Sequence, residues 1–177
     1  MTEPTERWLI RGSVFVLLLT LLSLAWVNRA TYAPLDTGAP APDFAYPTLA
    51  GDTISLAALR GEVVLLNIWA TWCPPCVREM PSMQRLYELL GDQGLRIVAV
   101  SVDAPGALGD VRSFVHEYGL EFDILLNPGG GIQDAYAVNG LPTTFLIDRE
   151  GRIRRKVLGG TDWMSQDNVK SVHALLK

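Results

Sequence analysis

The sequence predicts a three-layer α/β domain preceded by a separate apolar segment. Two runs, Glu62 to Trp69 and Leu95 to Val102, are apolar almost without alternation, as strands covered on both faces must be. Each is followed by a stretch whose apolar residues recur every three or four positions, and the chain then closes with a hairpin and one more helix. Strand–helix–strand units of this kind lay helices against a shared sheet.

Residues 29–41 read as a linker, stiffened by Pro34 and Pro40 and without an apolar period, and the folded domain is expected over 42–177. Phe44-Ala45-Tyr46 and Thr53-Ile54-Ser55-Leu56, divided by Ala50-Gly51-Asp52, suggest a short hairpin. After the first buried strand, Pro74 to Leu90 reads as a helix with Met80, Met83, Tyr87 and Leu90 on one face and Gly91 at its end. Pro74 and Pro75 sit in its first turn, where a missing N–H does no harm; Pro81 removes the bond to Val77 and predicts a kink. Ala107 to Tyr118 is a second helix closed by Gly119, Phe122 to Leu126 a short strand, and a further helix runs through Val138. The Gly129-Gly130-Gly131 triplet lacks the Gly-Lys-Ser/Thr ending of a phosphate loop and reads as a turn. Thr143 to Ile147 and Arg152 to Leu158 form a hairpin, and Asn168 to Leu176 is the closing helix, with Val169, Val172, Leu175 and Leu176 inward.

Ahead of the domain, Gly12 to Asn28 carries no charge, and Trp8 and Trp26 bracket it ~27 Å apart as a helix, near the ~30 Å hydrocarbon thickness. Arg7 and Arg11 precede the run and only Arg29 follows closely. Residues 8–28 are therefore expected to be an uncleaved transmembrane signal anchor in the lipid bilayer, with residues 1–7 in the cytoplasm and the domain outside. A cleaved signal peptide is the competing reading, but the small-residue pattern at Asn28-Arg29-Ala30 and Thr31-Tyr32-Ala33 is weak. A net charge of −4 and a pI near 5.1 argue against a nucleic-acid partner. The one basic cluster, Arg152 to Lys156, reads as a solvated edge strand.

Chemistry concentrates in Trp72-Cys73-Pro74-Pro75-Cys76, which holds both cysteines of the chain at a strand-to-helix junction. The first turn of a helix offers free N–H groups and a positive dipole end, which favour a thiolate at Cys73. A structural zinc site needs four ligands, and His116 and His173 are far apart. A structural disulfide gains little from so small a loop, and Pro-Pro is poor core material. The pair reads as a redox dithiol.

Together, Leu65 to Cys76 and Gly140-Leu141-Pro142-Thr143-Thr144-Phe145-Leu146-Ile147-Asp148 resemble the thioredoxin superfamily, in particular its membrane-anchored TlpA/ResA/CcmG (DsbE) branch of thiol–disulfide oxidoreductases. The resemblance implies a thioredoxin fold, α/β/α around a central mixed sheet, with an N-terminal β-hairpin and a strand–helix insertion at Phe122 to Val138. It makes Cys73 the exposed attacking thiol, Cys76 the buried resolving thiol, and Pro142 the cis-proline whose neighbour Leu141 can pair with an extended substrate. Trp72, Pro74, Pro75 and Gly160 would line the substrate surface with Leu141; Trp69 and Trp72 flank the site and would either cover it or be core aromatics that need no functional explanation. Where ordinary thioredoxins carry a buried aspartate, this chain has Asn67; Glu79, one helical turn past Cys76, matches the acidic residue the branch keeps near its dithiol. Part-buried there it would have a raised pKa and could take the proton of Cys76; the bland alternative is a surface glutamate beside Arg78.

The implied function is a thiol–disulfide oxidoreductase at the bacterial cytoplasmic membrane, facing the periplasm or cell exterior, with the Cys73–Cys76 pair as its redox centre and no separate cofactor. Disulfide-bearing proteins, apocytochrome c among them, and a membrane thiol-reductant carrier are the implied partners. Thr143 stands where the CcmG type tends to be acidic, which weighs against strict dedication to cytochrome c assembly. Pro74 and Pro75 deny the thiolate two donors, which favours the reductase direction over a dithiol oxidase or isomerase. A peroxiredoxin would need Pro-x-x-x-Thr/Ser-x-x-Cys before Cys73, which is absent, and a copper-carrying module would want three residues between its cysteines and a nearby histidine.

Overall fold

The computed structural model describes residues 11, 13–23, 35 and 37–177 of the chain. Residues 13–23 (α1) are helical and expose Val14, Phe15, Leu17 and Leu22. They belong to a unit of their own, Met1–Pro34, apart from Leu35–Lys177. Among the described residues no helix is long and apolar enough to cross a membrane; the rest of the expected 8–28 span, residues 1–7 and half of the 29–41 linker lie outside them.

In the second unit, β1 (Ala45–Pro47) and β2 (Thr53–Ser55) form the expected antiparallel hairpin. β3 (Val63–Trp69), β4 (Leu95–Ser101), β5 (Asp123–Leu126), β6 (Thr143–Ile147) and β7 (Ile153–Leu158) form one sheet in the order β5-β4-β3-β6-β7. β3 to β5 are mutually parallel, whereas β6 opposes β3 and β7 opposes β6, so the sheet is mixed. The basic strand β7 is an edge, as its charges predict.

Strand β3 is buried at every residue because both of its faces are covered. Val63, Leu65 and Trp69 point to one side, where α2 (Pro74–Leu90), α3 (Leu108–Glu117) and α5 (Gln166–Leu176) supply Met80, Met83, Phe114 and Val172. Val64, Leu66 and Ile68 point to the other, against Phe44 and Leu56 of the hairpin region and Ile132 of the short helix α4 (Gly131–Ala135). Asn67 therefore occupies a helix-side position in an otherwise apolar row, opposite Thr144 on β6. Pro81 lies inside α2 without ending it.

Helix α4 stops at Ala135, short of the expected Val138, because Ala137 adopts a left-handed φ of 46°. Ala137 N–H donates to Asp134 O and Val138 N–H to Gln133 O, the paired bonds of a Schellman closure with alanine in the place glycine usually fills. At the end of the sheet remote from the β3–α2 junction, Gly38 and Ala41 donate to Ile153 O and Gly151 O, and Ile153 N–H donates to Ala39 O. Ile153 pairs with Ile147, and Val64 with Ile147, so this strap sits beside the start of β3, ~17 Å from its C-terminal end.

Candidate active site

Strand β3 delivers the chain into a tight turn, where Cys73 N–H donates to Ala70 O, and α2 begins at once. Cys73 is the N-cap in extended conformation, and its Sγ accepts from Cys76 N–H at 3.4 Å. Pro74 and Pro75 fill the first helical positions, so Cys76 supplies the nearest free N–H. Cys73 and Cys76 are joined as a disulfide with Cα atoms 5.3 Å apart.

Both cysteines are buried in this state, Cys73 at 4% exposure and Cys76 at none, so the expected exposed Cys73 opens only along the wall of a cleft. That cleft, ≈ 400 Å³, runs between Trp72, Cys73, Pro74 and Pro75 on one side and Val138 to Leu141 on the other. Trp72 is 67% exposed. Trp69 does not cover the site: it is wholly buried against Phe114, 5.0 Å between ring centroids. The Leu141–Pro142 bond is cis, and Gly159 N–H donates to Pro142 O. Gly160 comes so close to α2 that a Cβ there would lie 2.7 Å from Pro75 O. A second cleft, ≈ 330 Å³, lies between α2 and the loop 160–162, with Glu79 in its lining and Arg78 and Arg85 beside it.

Glu79 is 2% exposed, which excludes the surface-glutamate alternative. Its Oε1 accepts from Asn67 Nδ2 at 2.8 Å; its Oε2 accepts from Thr161 N–H at 3.2 Å and Trp163 Nε1 at 3.3 Å. Burial pushes its carboxyl up from 4.5 to about 7, against the pull of those three hydrogen bonds. Asn67 Nδ2 also donates to Thr144 Oγ1, while its Oδ1 has no partner.

One buried carboxylate escaped the sequence reading. Asp103, just past β4, is 4% exposed and accepts from Thr71 N–H at 3.1 and 3.2 Å, from Thr71 Oγ1 at 2.6 Å and from Ser101 Oγ at 2.7 Å. The parallel register that sets Trp69 opposite Ser101 carries Thr71 and Asp103, each two residues on, to the same end of the sheet. That register is a signal the two buried runs contain, although the Asp-Ala-Pro sequence there looks like an ordinary helix start. Trp163, 84 residues from Glu79, has no such signal.

The fold and the dithiol are those of a thioredoxin-like protein, and the chain belongs to the AhpC/TSA family, whose profile matches residues 37–156. It is 40% identical over 159 residues to the thiol-disulfide oxidoreductase ResA of Geobacillus thermodenitrificans, covering 88% of each chain. To the ResA of Halalkalibacterium halodurans it is 36% identical over 177 residues, 99% of this chain and 98% of that one. A crystal structure described as a thiol:disulfide interchange protein DsbE from Chlorobium tepidum superposes with a TM-score of 0.74 at 34% identity, over 80% of this chain and 99% of that one. Within the family, then, the chain is a thiol–disulfide oxidoreductase of the ResA and DsbE type.

Proposed function

We propose that the protein is a membrane-anchored disulfide reductase acting outside the cytoplasm, in which Cys73 attacks, Cys76 resolves and Glu79 takes the proton of Cys76. The observation that carries this reading is the buried Glu79 one turn past Cys76, with a carboxyl that titrates at about 7. The Cys73 thiolate attacks one sulfur of a client disulfide, forming a mixed disulfide and releasing the other client sulfur as thiolate. Cys76 gives its proton to Glu79 and attacks Cys73 Sγ; the Cys73–Cys76 disulfide forms and the second client thiol leaves. A carboxyl poised near the working pH is suited to receive that proton and then pass it on. Turned over, the Asn67 amide would present its unpartnered Oδ1 to a proton on Glu79 Oε1, so one residue can serve both charge states.

Direction follows from what Cys73 lacks. With Pro74 and Pro75 at the helix start, the thiolate has fewer backbone donors, the disulfide is favoured, and the reduced pair is a good electron donor. The apolar exposed face of residues 13–23 supports an anchor in the bilayer of a bacterial cytoplasmic membrane, N-terminus inside. Clients are disulfide-bearing proteins on the outer side, apocytochrome c among them, and a membrane thiol carrier returns the electrons. Equilibrating the full chain with glutathione tests the direction. A potential near the ~−270 mV of thioredoxin supports it, and one near the ~−120 mV of DsbA would make the protein an oxidase. A reporter fused after Lys177 that is active only outside the cytoplasm tests the topology.

A further inference from the structure

We propose that Asp103 is a positioning residue for the dithiol: through Thr71 it fixes the turn that presents Cys73 and lowers the stability of a thiolate there. The inference rests on Cys73 being the attacking thiol. Its basis is geometric. Residues Ala70 to Cys73 form the turn between β3 and α2; besides the Cys73–Cys76 disulfide, the side chain from outside that holds this turn is the Asp103 carboxylate, which receives both the N–H and the hydroxyl of Thr71. Ser101 fixes that carboxylate in turn, its Oγ donating to Oδ2 and accepting from Asp103 N–H at 3.1 Å. Among the described residues, no lysine or arginine forms an ion pair with Asp103. A buried carboxylate answered only by hydroxyls and one amide keeps much of its field, and a second anion two residues away from its anchor is disfavoured by it. The sequence thus sets opposing influences on Cys73: the helix end favours the thiolate, and Asp103 disfavours it.

Two variants of the full chain test this. Asp103→Asn removes the charge and keeps the shape. Equilibrium with glutathione should move at least threefold toward the dithiol, ~14 mV upward for a two-electron couple, and alkylation of Cys73 by iodoacetamide at pH 7, read in a Cys76→Ala background, should quicken at least threefold. Thr71→Val keeps the charge but removes one of its donors, so alkylation should slow at least twofold. A lowered melting temperature with both readouts unchanged would reduce Asp103 to a structural residue and overturn the proposal, as would shifts of the same sign in both variants. If Asp103→Asn does not fold, Thr71→Val decides: slower alkylation sustains the proposal and an unchanged rate ends it. The glutathione equilibrium reads the pair whichever cysteine attacks, so failure here is distinct from failure of the role assigned to Cys73.

Discussion

Two buried carboxylates stand around the β3–α2 junction, and the contrast between them lies in where their donors come from. Glu79 is held by Asn67 on β3 and by Thr161 and Trp163 after β7, elements separated from it by up to 84 residues. Asp103 is held by Thr71 and Ser101, residues at the ends of two adjacent parallel strands. The first carboxylate is desolvated by the packing of the whole domain, so its proton affinity is coupled to the fold. The second depends on one local turn. In the roles proposed above, the site draws on burial for the group that takes a proton and on local hydrogen bonds for the group that stays put.

The largest expected effect strips this contrast of its purpose if it fails. Cys76→Ala should abolish turnover and leave clients covalently attached through Cys73, while Cys73→Ala should trap nothing on a non-reducing gel. Equal trapping by both would mean that Glu79 lies beside the wrong thiol to act as described.

Glu79→Gln sharpens the comparison from the global side. Release of the reduced client should slow about 100-fold near pH 7. Because the folded-state value, about 7, lies above the ordinary 4.5, the native protein binds more protons than the unfolded chain between them. Stability from this group is therefore full below pH 4.5 and is lost as pH rises through about 7. Urea unfolding of the oxidised protein should lose about 2–3 kcal/mol relative to Glu79→Gln between pH 5 and 8. A constant gap between the two proteins across that range would break the coupling between this carboxyl and the fold.

Gly160→Ala tests the approach of the β7–α5 loop to α2. A Cβ 2.7 Å from Pro75 O must push one element back, at a cost of about 1–3 kcal/mol in thermal unfolding. Trp72→Ala is the smallest. With the ring mostly in solvent, stability should stay within about 0.5 kcal/mol while the KM for a client rises; an unchanged KM would remove Trp72 from the client surface.

The architecture was legible because the chain punctuates it. Two apolar runs could only be covered strands, Pro74-Pro75 marked a helix start, and glycines marked several ends. Where the usual punctuation was missing, the reading slipped: Ala137 takes the left-handed position with no glycine to announce it, and α4 was extended too far. The cysteines were visible from their two-residue spacing at a strand-to-helix junction, and Glu79 from the family resemblance together with its place one helical turn past Cys76. Trp69 proves to be the core aromatic of its two readings: it lies on the helix side of the sheet, as the cysteines do, but is packed beneath against Phe114. Asp103 depended on the register of β3 against β4, which the two buried runs hint at but which the Asp-Ala-Pro helix start obscures.

The strap that joins Gly38 through Ala41 to Gly151 and Ile153 has a mechanical consequence. It makes the far pole the handle of the domain: a load applied upstream of Gly38 is taken up first by the backbone bonds beside β7. Whatever grips the N-terminal end, whether a bilayer, a fusion partner or a bead, holds the domain by its back. The rim of Trp72, Pro142 and Leu158 lies at the opposite pole of the sheet, so a pull on the handle does not run through the residues beside the dithiol.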